Sequence, residues 1–432
     1  GGGSGGSVYI IAKNFTGAGR ITVNGGGKTV NSGGGGGGGR GAVYYQTSTF
    51  TGTMEAKGGI GYGNGEDGTV VSIDTQSNIL YPGHSFRFQE NDSPFNFDKI
   101  ILNNSQVTSE GDFSLTANQL LLKNSSLGLG SASKVLTNTF SLQDNSSLTL
   151  NDTANLTASN ASTFSNSAIS FTGAQNLSVP SLTLDNSTLT LSGKETLSLN
   201  SLILNNNSVL THSPQGKTEL TLNNFTLDST SSISADGKGY PSGQGPGAGG
   251  GNGAGGGYGG KGRSHAGSLG GSTYGSATAP VDMGSGGGAT AWNGVPGGSG
   301  GGAIRINISE TLTLNGLVSA NGNEFSKDSY YAGGGSGGSV YIITKNFSGG
   351  GRISVNGGGK TSVNAGGGGG GGRIAVYYQA STFAGNLEAK GGIGYGNGED
   401  GTVVSIDTQS NILYSGHSFR FQENDSPFNF DK

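Results

Sequence analysis

The chain has 432 residues, a net charge of -4, 12% charged residues and no cysteine. These values exclude a disulfide scaffold, a thiolate metal site and a basic nucleic-acid surface, and no apolar run approaches the ~20 residues of a membrane helix. Hydrophobic residues make up only 31% and glycine fills 89 positions, which suits a thin core repeated along an axis better than one thick globular core.

Residues 1–99 alternate two motifs. One is a glycine run followed by a short alternating strand, as in Gly6-Ser-Val-Tyr-Ile10 and Gly41-Ala-Val-Tyr-Tyr45. The other is apolar-x-Ala/Val-polar-Gly, as in Ile21-Thr-Val-Asn-Gly25 and Met54-Glu-Ala-Lys-Gly58. Alternation with β-branched and aromatic residues predicts strands, and the terminal Asn/Lys-Gly predicts turns needing positive φ. Glycine-rich excursions such as Gly33–Gly39 and Gly58–Gly65 separate the motifs. Two readings stand for them: flexible loops, or ordered extended or polyproline-II-like ribs in which only glycine permits close backbone approach.

Residues 100–236 contain only six glycines and are dominated by Ser, Thr, Asn and Leu. Here Asn104, Asn124, Asn145, Asn166, Asn186 and Asn207 recur at steps of 20 or 21, each followed by Ser and flanked by alternating apolar positions. That period predicts one coil of a parallel β-helix with a polar turn at a fixed phase. Stacked coils would place Asn on Asn in a structural ladder. Residues 237–300 form the longest glycine-rich excursion.

Residues 301–432 return to the first pattern. Gly1–Ile11 recurs as Gly333–Ile343, and Gln89–Lys99 recurs unchanged as Gln422–Lys432. The offset is 332, becoming 333 near Ser362. The chain therefore reads as one unit of about 333 residues plus the opening of the next. The expectation is a tandem array in which Lys432 is followed by a segment like Ile100-Ile101-Leu102.

Gly298-Ser-Gly-Gly-Gly-Ala-Ile-Arg-Ile306, Leu317-Val-Ser-Ala-Asn-Gly322 and Gly334-Gly-Ser-Gly-Gly-Ser-Val-Tyr-Ile342 resemble the glycine-rich repeats of very large microbial and protist surface proteins. The resemblance covers Ile233–Lys432 and the copy at 1–99. It implies a right-handed parallel β-helix of the pectin-lyase-like kind. That fold also hosts polysaccharide lyases and hydrolases, which need converging carboxylates.

Acidic residues are sparse, and the one dense group is Asn64-Gly-Glu66-Asp67-Gly68 with its copy at Asn397–Gly401. It reads either as a Ca²⁺ turn or as a solvated turn before a strand. His84, His212, His265 and His417 have no partner at metal-ligand spacing. Tyr and Arg after the glycine runs (Arg40, Tyr44, Tyr45, Arg373, Tyr377, Tyr378) suggest either a carbohydrate-binding face or cover for bare glycine backbone. The strongest chemical signal is the set of Asn-x-Ser/Thr sequons, more frequent between 100 and 235 than composition alone gives. Candidate glycosylation positions are Asn14, Asn103, Asn124, Asn145, Asn151, Asn155, Asn160, Asn176, Asn186, Asn206, Asn224, Asn307 and Asn346. Asn91 and Asn424 run into Pro, which disfavours transfer. An Asn buried in a ladder would be bare, and one pointing outward would be available.

The expected protein is an all-β, right-handed parallel β-helix with glycine-rich excursions. Its expected segments are 1–99 (glycine-rich), 100–236 (coils of 20–21 residues), 237–300 (long excursion) and 301–432 (opening of the next repeat). The expected role is structural, in an extracellular or cell-surface glycosylated filament. Identical repeats or like chains end to end and covalent glycans are the expected partners. No catalytic residue, metal or cofactor is expected. An adhesin stalk presenting 237–300 is the alternative, and a polysaccharide-active enzyme a remote one.

Overall fold

The computed structural model describes residues 1–27, 33–89, 93–109, 111–173, 176–290, 294–325, 331–360, 366–416 and 430–431. Among them there is no helix; the regular elements are strands, nearly all in parallel sheets. The chain divides into two compact units, Gly1–Leu182 and Thr183–Lys432.

In the first unit, Ser7–Phe15, Arg40–Ser48 and Thr69–Asp74 pair in parallel, with Ser7 opposite Arg40 and Arg40 opposite Thr69. The three-residue strands Arg20–Thr22 and Thr53–Glu55 pair with each other. Val23, Ala56 and Val70 form a small core, with Val8 and Met54 against it. Thr69–Asp74 then turns back in a hairpin onto Ile79–Pro82, Asp74 facing Ile79. Asp74 Oδ1 accepts the amides of Gln76 (2.9 Å) and Ser77 (3.1 Å), and Asn78 closes the turn at φ 50°. The Thr-Gln-Ser-Asn turn chemistry thus builds an antiparallel step that the periodicity did not foretell.

From Ile79 onward pairing is parallel again. Residues directly opposite in an antiparallel pair share a face, so Ile73 and its partner Leu80 point the same way. Leu80 and Ile100 lie in the downstream core at 2% and 0% exposure. Val70, three positions before Ile73, points to the other face. The hairpin therefore reverses strand direction and moves the core to the opposite face of one sheet.

Downstream, the long strands step by 20 (Asn103 opposite Lys123, Lys123 opposite Gln143). Short strands step by 20 and then 21 (Gln106, Ser126, Ser147, Ala168). These offsets put Leu102, Leu122, Leu142 and Phe164 in one buried row and Val107, Leu127, Leu148 and Ile169 in another. Each buried Leu or Phe removes enough apolar surface from water to contribute about 1.5–3 kcal/mol, so these rows dominate stability.

In the second unit, Thr196–Asn205, Lys217–Leu227, Ala303–Leu314, Ser339–Ser348, Arg373–Tyr378 and Thr402–Asp407 pair successively in parallel. The short strands Thr188–Leu191, Val209–His212, Ser232–Ser234, Leu317–Ser319, Arg352–Ser354 and Asn386–Glu388 do likewise. The hairpin recurs, with Asp407 opposite Ile412 and Asp407 Oδ1 accepting from Gln409 (2.9 Å) and Ser410 (3.0 Å). The glycine excursion between Ser234 and Ala303 is held by backbone bonds rather than hanging as a loop. Gly256 N donates to Gly334 O (2.9 Å), Gly370 N to Gly256 O (2.8 Å) and Gly260 N to Gly371 O (2.9 Å). Of the two readings for glycine runs, ordered ribs are the one the structure contains.

His212 ends its short strand beside Leu191 in register and is fully buried. Its Nδ1 lies 2.7 Å from Ser213 O. Burial holds its pKa below the ordinary 6.5; Lys238 pushes the same way, while Glu195 and the Ser213 carbonyl oppose. The unfolded chain therefore binds a proton near pH 6.5 that the folded chain resists. Stability is fully present above that pH and is lost as pH falls below it toward the depressed folded value. Denaturation midpoints at about pH 7.5 and 5 should show a smaller loss for H212L than for the parent chain, the difference isolating this group from the carboxylates.

Candidate functional site

The Asn positions sit at the turns that leave each long strand. Asn104, Asn124, Asn145, Asn166, Asn186, Asn206 and Asn207 have φ between 45° and 64°, a left-handed conformation that Asn tolerates better than most residues. Their side chains are exposed. Asn124 Nδ2 donates to Asn104 Oδ1 at 2.6 Å, so a ladder exists there, but it runs along the outside. The buried ladder is serine. Ser105, Ser125, Ser146, Ser167, Ser187 and Ser208 are all under 8% exposed. Ser125 N donates to Ser146 Oγ (3.2 Å) and Ser187 N to Ser208 Oγ (3.1 Å), while each of these hydroxyls donates to a carbonyl two or three residues back. A left-handed Asn followed by an inward Ser is thus what this turn requires, and it becomes a sequon only where a further Ser or Thr follows, as at Asn124, Asn145 and Asn186.

The sequon asparagines differ in freedom. Asn14, Asn103, Asn124, Asn145, Asn160, Asn186, Asn206, Asn224 and Asn307 are exposed, and Asn151, Asn155 and Asn346 are half-buried. Asn206 Nδ2 donates to Asp185 Oδ1 (2.5 Å) and Asn155 Nδ2 to Thr153 O (2.9 Å). Asn14 Oδ1 accepts from Thr47 (2.7 Å), and Asn346 Nδ2 reaches Glu310 O (3.4 Å). The side chains of Asn145, Asn160, Asn224 and Asn307 make no hydrogen bond among the described residues. The Asn176 side chain, Asn91, Asn424 and His417 lie outside the described residues.

The second feature is the face of the long sheet opposite the inner core. In the second unit it is covered. Ala375, Val404 and Ile406 are 0–2% exposed, with Tyr341, Tyr377 and Leu413 packed against them. The excursion lies over this face. Arg373 is fully buried, with Nε donating to Tyr274 O (3.1 Å), Nη1 donating to Thr402 Oγ1 (3.3 Å) and the guanidinium 5.4 Å from the Tyr258 ring centroid. Tyr377 Oη donates to Thr278 O (3.0 Å). Burial raises the pKa of Tyr258 and Tyr274 far above the ordinary phenol value, so both stay neutral. Of the tyrosines and arginines after the glycine runs, Arg373 and Tyr377 therefore pack against the excursion.

In the first unit the equivalent face is open. Tyr9 and Ile11 are 66% and 73% exposed, and Arg40 is exposed with Nη2 donating to Gln89 Oε1 (2.7 Å). A recess of about 690 Å³ is lined there by Tyr9, Arg40, Ala42, Tyr44, Val71 and Ile73 on one side and Leu80, Phe86, Phe95 and Phe97 on the other. The sequence marks Arg40 and Tyr44 of this face, as a carbohydrate-binding face or as cover for glycine backbone, but not the apolar recess beside them, because Val71 and Ile73 lie on the side that alternation assigns to solvent. A further signal is apolar residues on both faces of Ser7–Ile11 and Thr69–Ile73.

The acidic turns are structural in geometry. Asp67 Oδ1 caps Gly58 N and Asp400 Oδ1 caps Gly391 N, each at 2.8 Å, and Glu66 pairs with Arg87 at 3.2 Å. Among the described residues no group of three or more His, Cys, Asp or Glu could hold a metal ion, and no helix is long and apolar enough to cross a membrane. No family model, curated protein or solved structure matches the chain.

Proposed function

We propose that this chain is a structural unit of an extracellular glycosylated filament, built as a right-handed β-solenoid that runs through tandem repeats. The observation that carries the reading is the parallel register: rung after rung faces the next, with apolar rows in line and serine ladders closing the turns. Backbone ladders of this kind give stiffness along one axis. The hairpins fit the same plan. Reversing strand direction while moving the core to the other face leaves the hand of winding unchanged, so winding continues through each copy of the turn. Exposed sequon asparagines, above all Asn145, Asn160, Asn224 and Asn307, supply attachment points for a sugar coat on a surface of low charge.

Electron microscopy of the native material tests this reading. About 10–13 rungs per unit at ~4.8 Å each give an axial repeat of about 50–65 Å. A filament with that repeat and branched density at exposed asparagines is the expected result. Discrete monomers with bare asparagines would overturn it.

A further inference from the structure

We propose that the open face of Ser7–Phe15, Arg40–Ser48 and Thr69–Asp74 is the acceptor for a glycine-rich excursion of the 237–300 type, contributed by a preceding repeat of the same polypeptide. The argument rests on two copies of one sequence in two environments, and on the tandem reading above only for the source of the segment.

The copies align residue by residue. Tyr9, Arg40, Ala42, Tyr44, Thr69, Val71 and Ile73 correspond to Tyr341, Arg373, Ala375, Tyr377, Thr402, Val404 and Ile406. In the second set Arg373, Ala375, Thr402, Val404 and Ile406 are buried; in the first, Tyr9 and Arg40 are exposed and Ala42, Thr69, Val71 and Ile73 are half-buried. What differs is the cover. Tyr258, Tyr274 and Thr278 engage Arg373 and Tyr377, whereas the first copy leaves Arg40 exposed, bonded to Gln89 at 2.7 Å.

The glycine ribs show the same contrast in backbone atoms. Gly367 N donates to Gly253 O and Gly370 N to Gly256 O, both at 2.8 Å. Their counterparts Gly34 and Gly37 donate to no acceptor among the described residues. A Cβ on Gly367 or Gly370 would lie 2.2 Å from Arg263 O or 2.0 Å from Gly260 O, whereas one on Gly34 or Gly37 would meet nothing nearer than 3.8 Å. The first copy thus keeps side-chain-free ribs whose Gly34 and Gly37 amides meet no acceptor among the described residues, beside the half-buried Ala42, Val71 and Ile73 and the exposed Arg40. Those are the groups the excursion uses in the second copy. An excursion reaching forward over the next repeat also locks the join between repeats by contacts beyond the sheet ladder.

The test extends the full chain by placing a second copy of residues 183–332 directly before Gly1, which recreates the Ala332–Gly333 junction at Ala332–Gly1. Hydrogen exchange at Gly34 and Gly37 should slow at least roughly 100-fold, approaching that of Gly367 and Gly370. Nitration of Tyr9 and Tyr44 by tetranitromethane should fall in parallel, and Gly37→Val in the extended chain should abolish both effects. In the unextended chain, Tyr258→Ala should raise exchange at Gly367 and Gly370 toward the Gly34 and Gly37 rates, a readout independent of whether the extension folds. Unchanged exchange at Gly34 and Gly37 in a folded extended chain would overturn the proposal. Concentration-dependent protection of those amides in the unextended chain would overturn it too, assigning the face to a second copy instead. Both readouts are made in solution, so they fail or succeed separately from the microscopy of filaments.

Discussion

Replacing Phe140 with Ala should destabilise the first unit by about 3–5 kcal/mol, with the loss concentrated in the rungs around it. Phe140 is 1% exposed, sits opposite Leu120 in register, and meets the Phe164 ring edge-on at 5.3 Å between centroids. Truncation removes the transfer free energy of a buried ring and leaves a cavity that rigid backbone ladders on both sides cannot close. The aromatic pair contributes a further ~0.5–1.5 kcal/mol. Phe140→Leu keeps most of the volume and should cost less than about 1.5 kcal/mol. Because each rung touches only its neighbours, exchange should rise on Ser114–Lys123, Lys134–Gln143 and Ser162–Ser165 before it rises near the Asp74–Ile79 hairpin. Chemical denaturation gives the size of the effect and hydrogen exchange its location. A uniform rise across the unit would contradict rung-by-rung packing.

The matched pair Gly370→Ala and Gly37→Ala should differ sharply although the two positions correspond in sequence. A methyl on Gly370 would meet Gly260 O at 2.0 Å, where the only relief is to push the excursion away and break the Gly370 N to Gly256 O bond. Overpacking of this kind costs roughly 1–3 kcal/mol, and the lost hydrogen bond adds to it. On Gly37 the same methyl finds Glu66 O at 3.8 Å, an ordinary contact, so the change should stay within about 0.5 kcal/mol. The intrinsic tyrosine signal of Tyr258 and Tyr274, both in the excursion, reports the first case directly. Equal effects at the two glycines would show that backbone freedom, rather than close approach, sets the requirement there.

The physical origin of the glycine ribs explains why the loop and rib readings could not be separated in advance. A run such as Gly366–Gly372 carries no side chain, so its partners are backbone atoms. Three of those partners, Gly253, Gly256 and Gly260, lie more than 100 residues away in the chain. Local pattern holds no information about such a pairing. The serine ladder is a milder case. Serine is small and polar, and alternation alone assigns it to solvent; only stacking shows that Ser146 Oγ is needed by Ser125 N.

Local quantities are legible in the chain alone. The 20–21-residue spacing of Asn-Ser turns matches the register steps of the strands, because one residue type at one phase must recur wherever the turn needs positive φ. Alternation placed the strands, since side chains of a strand point to opposite faces in turn. Which face lies inside depends instead on long-range packing. The same Tyr-x-Ile and Val-x-Ile patterns read as outward at Tyr9 and Val71, half-buried or exposed, and as covered at Tyr341 and Val404. Two identical stretches differ in burial because hydrophobic stabilisation depends on what removes the surface from water. Here that is an excursion far away in sequence, and a hairpin that transfers the core from one side of the sheet to the other.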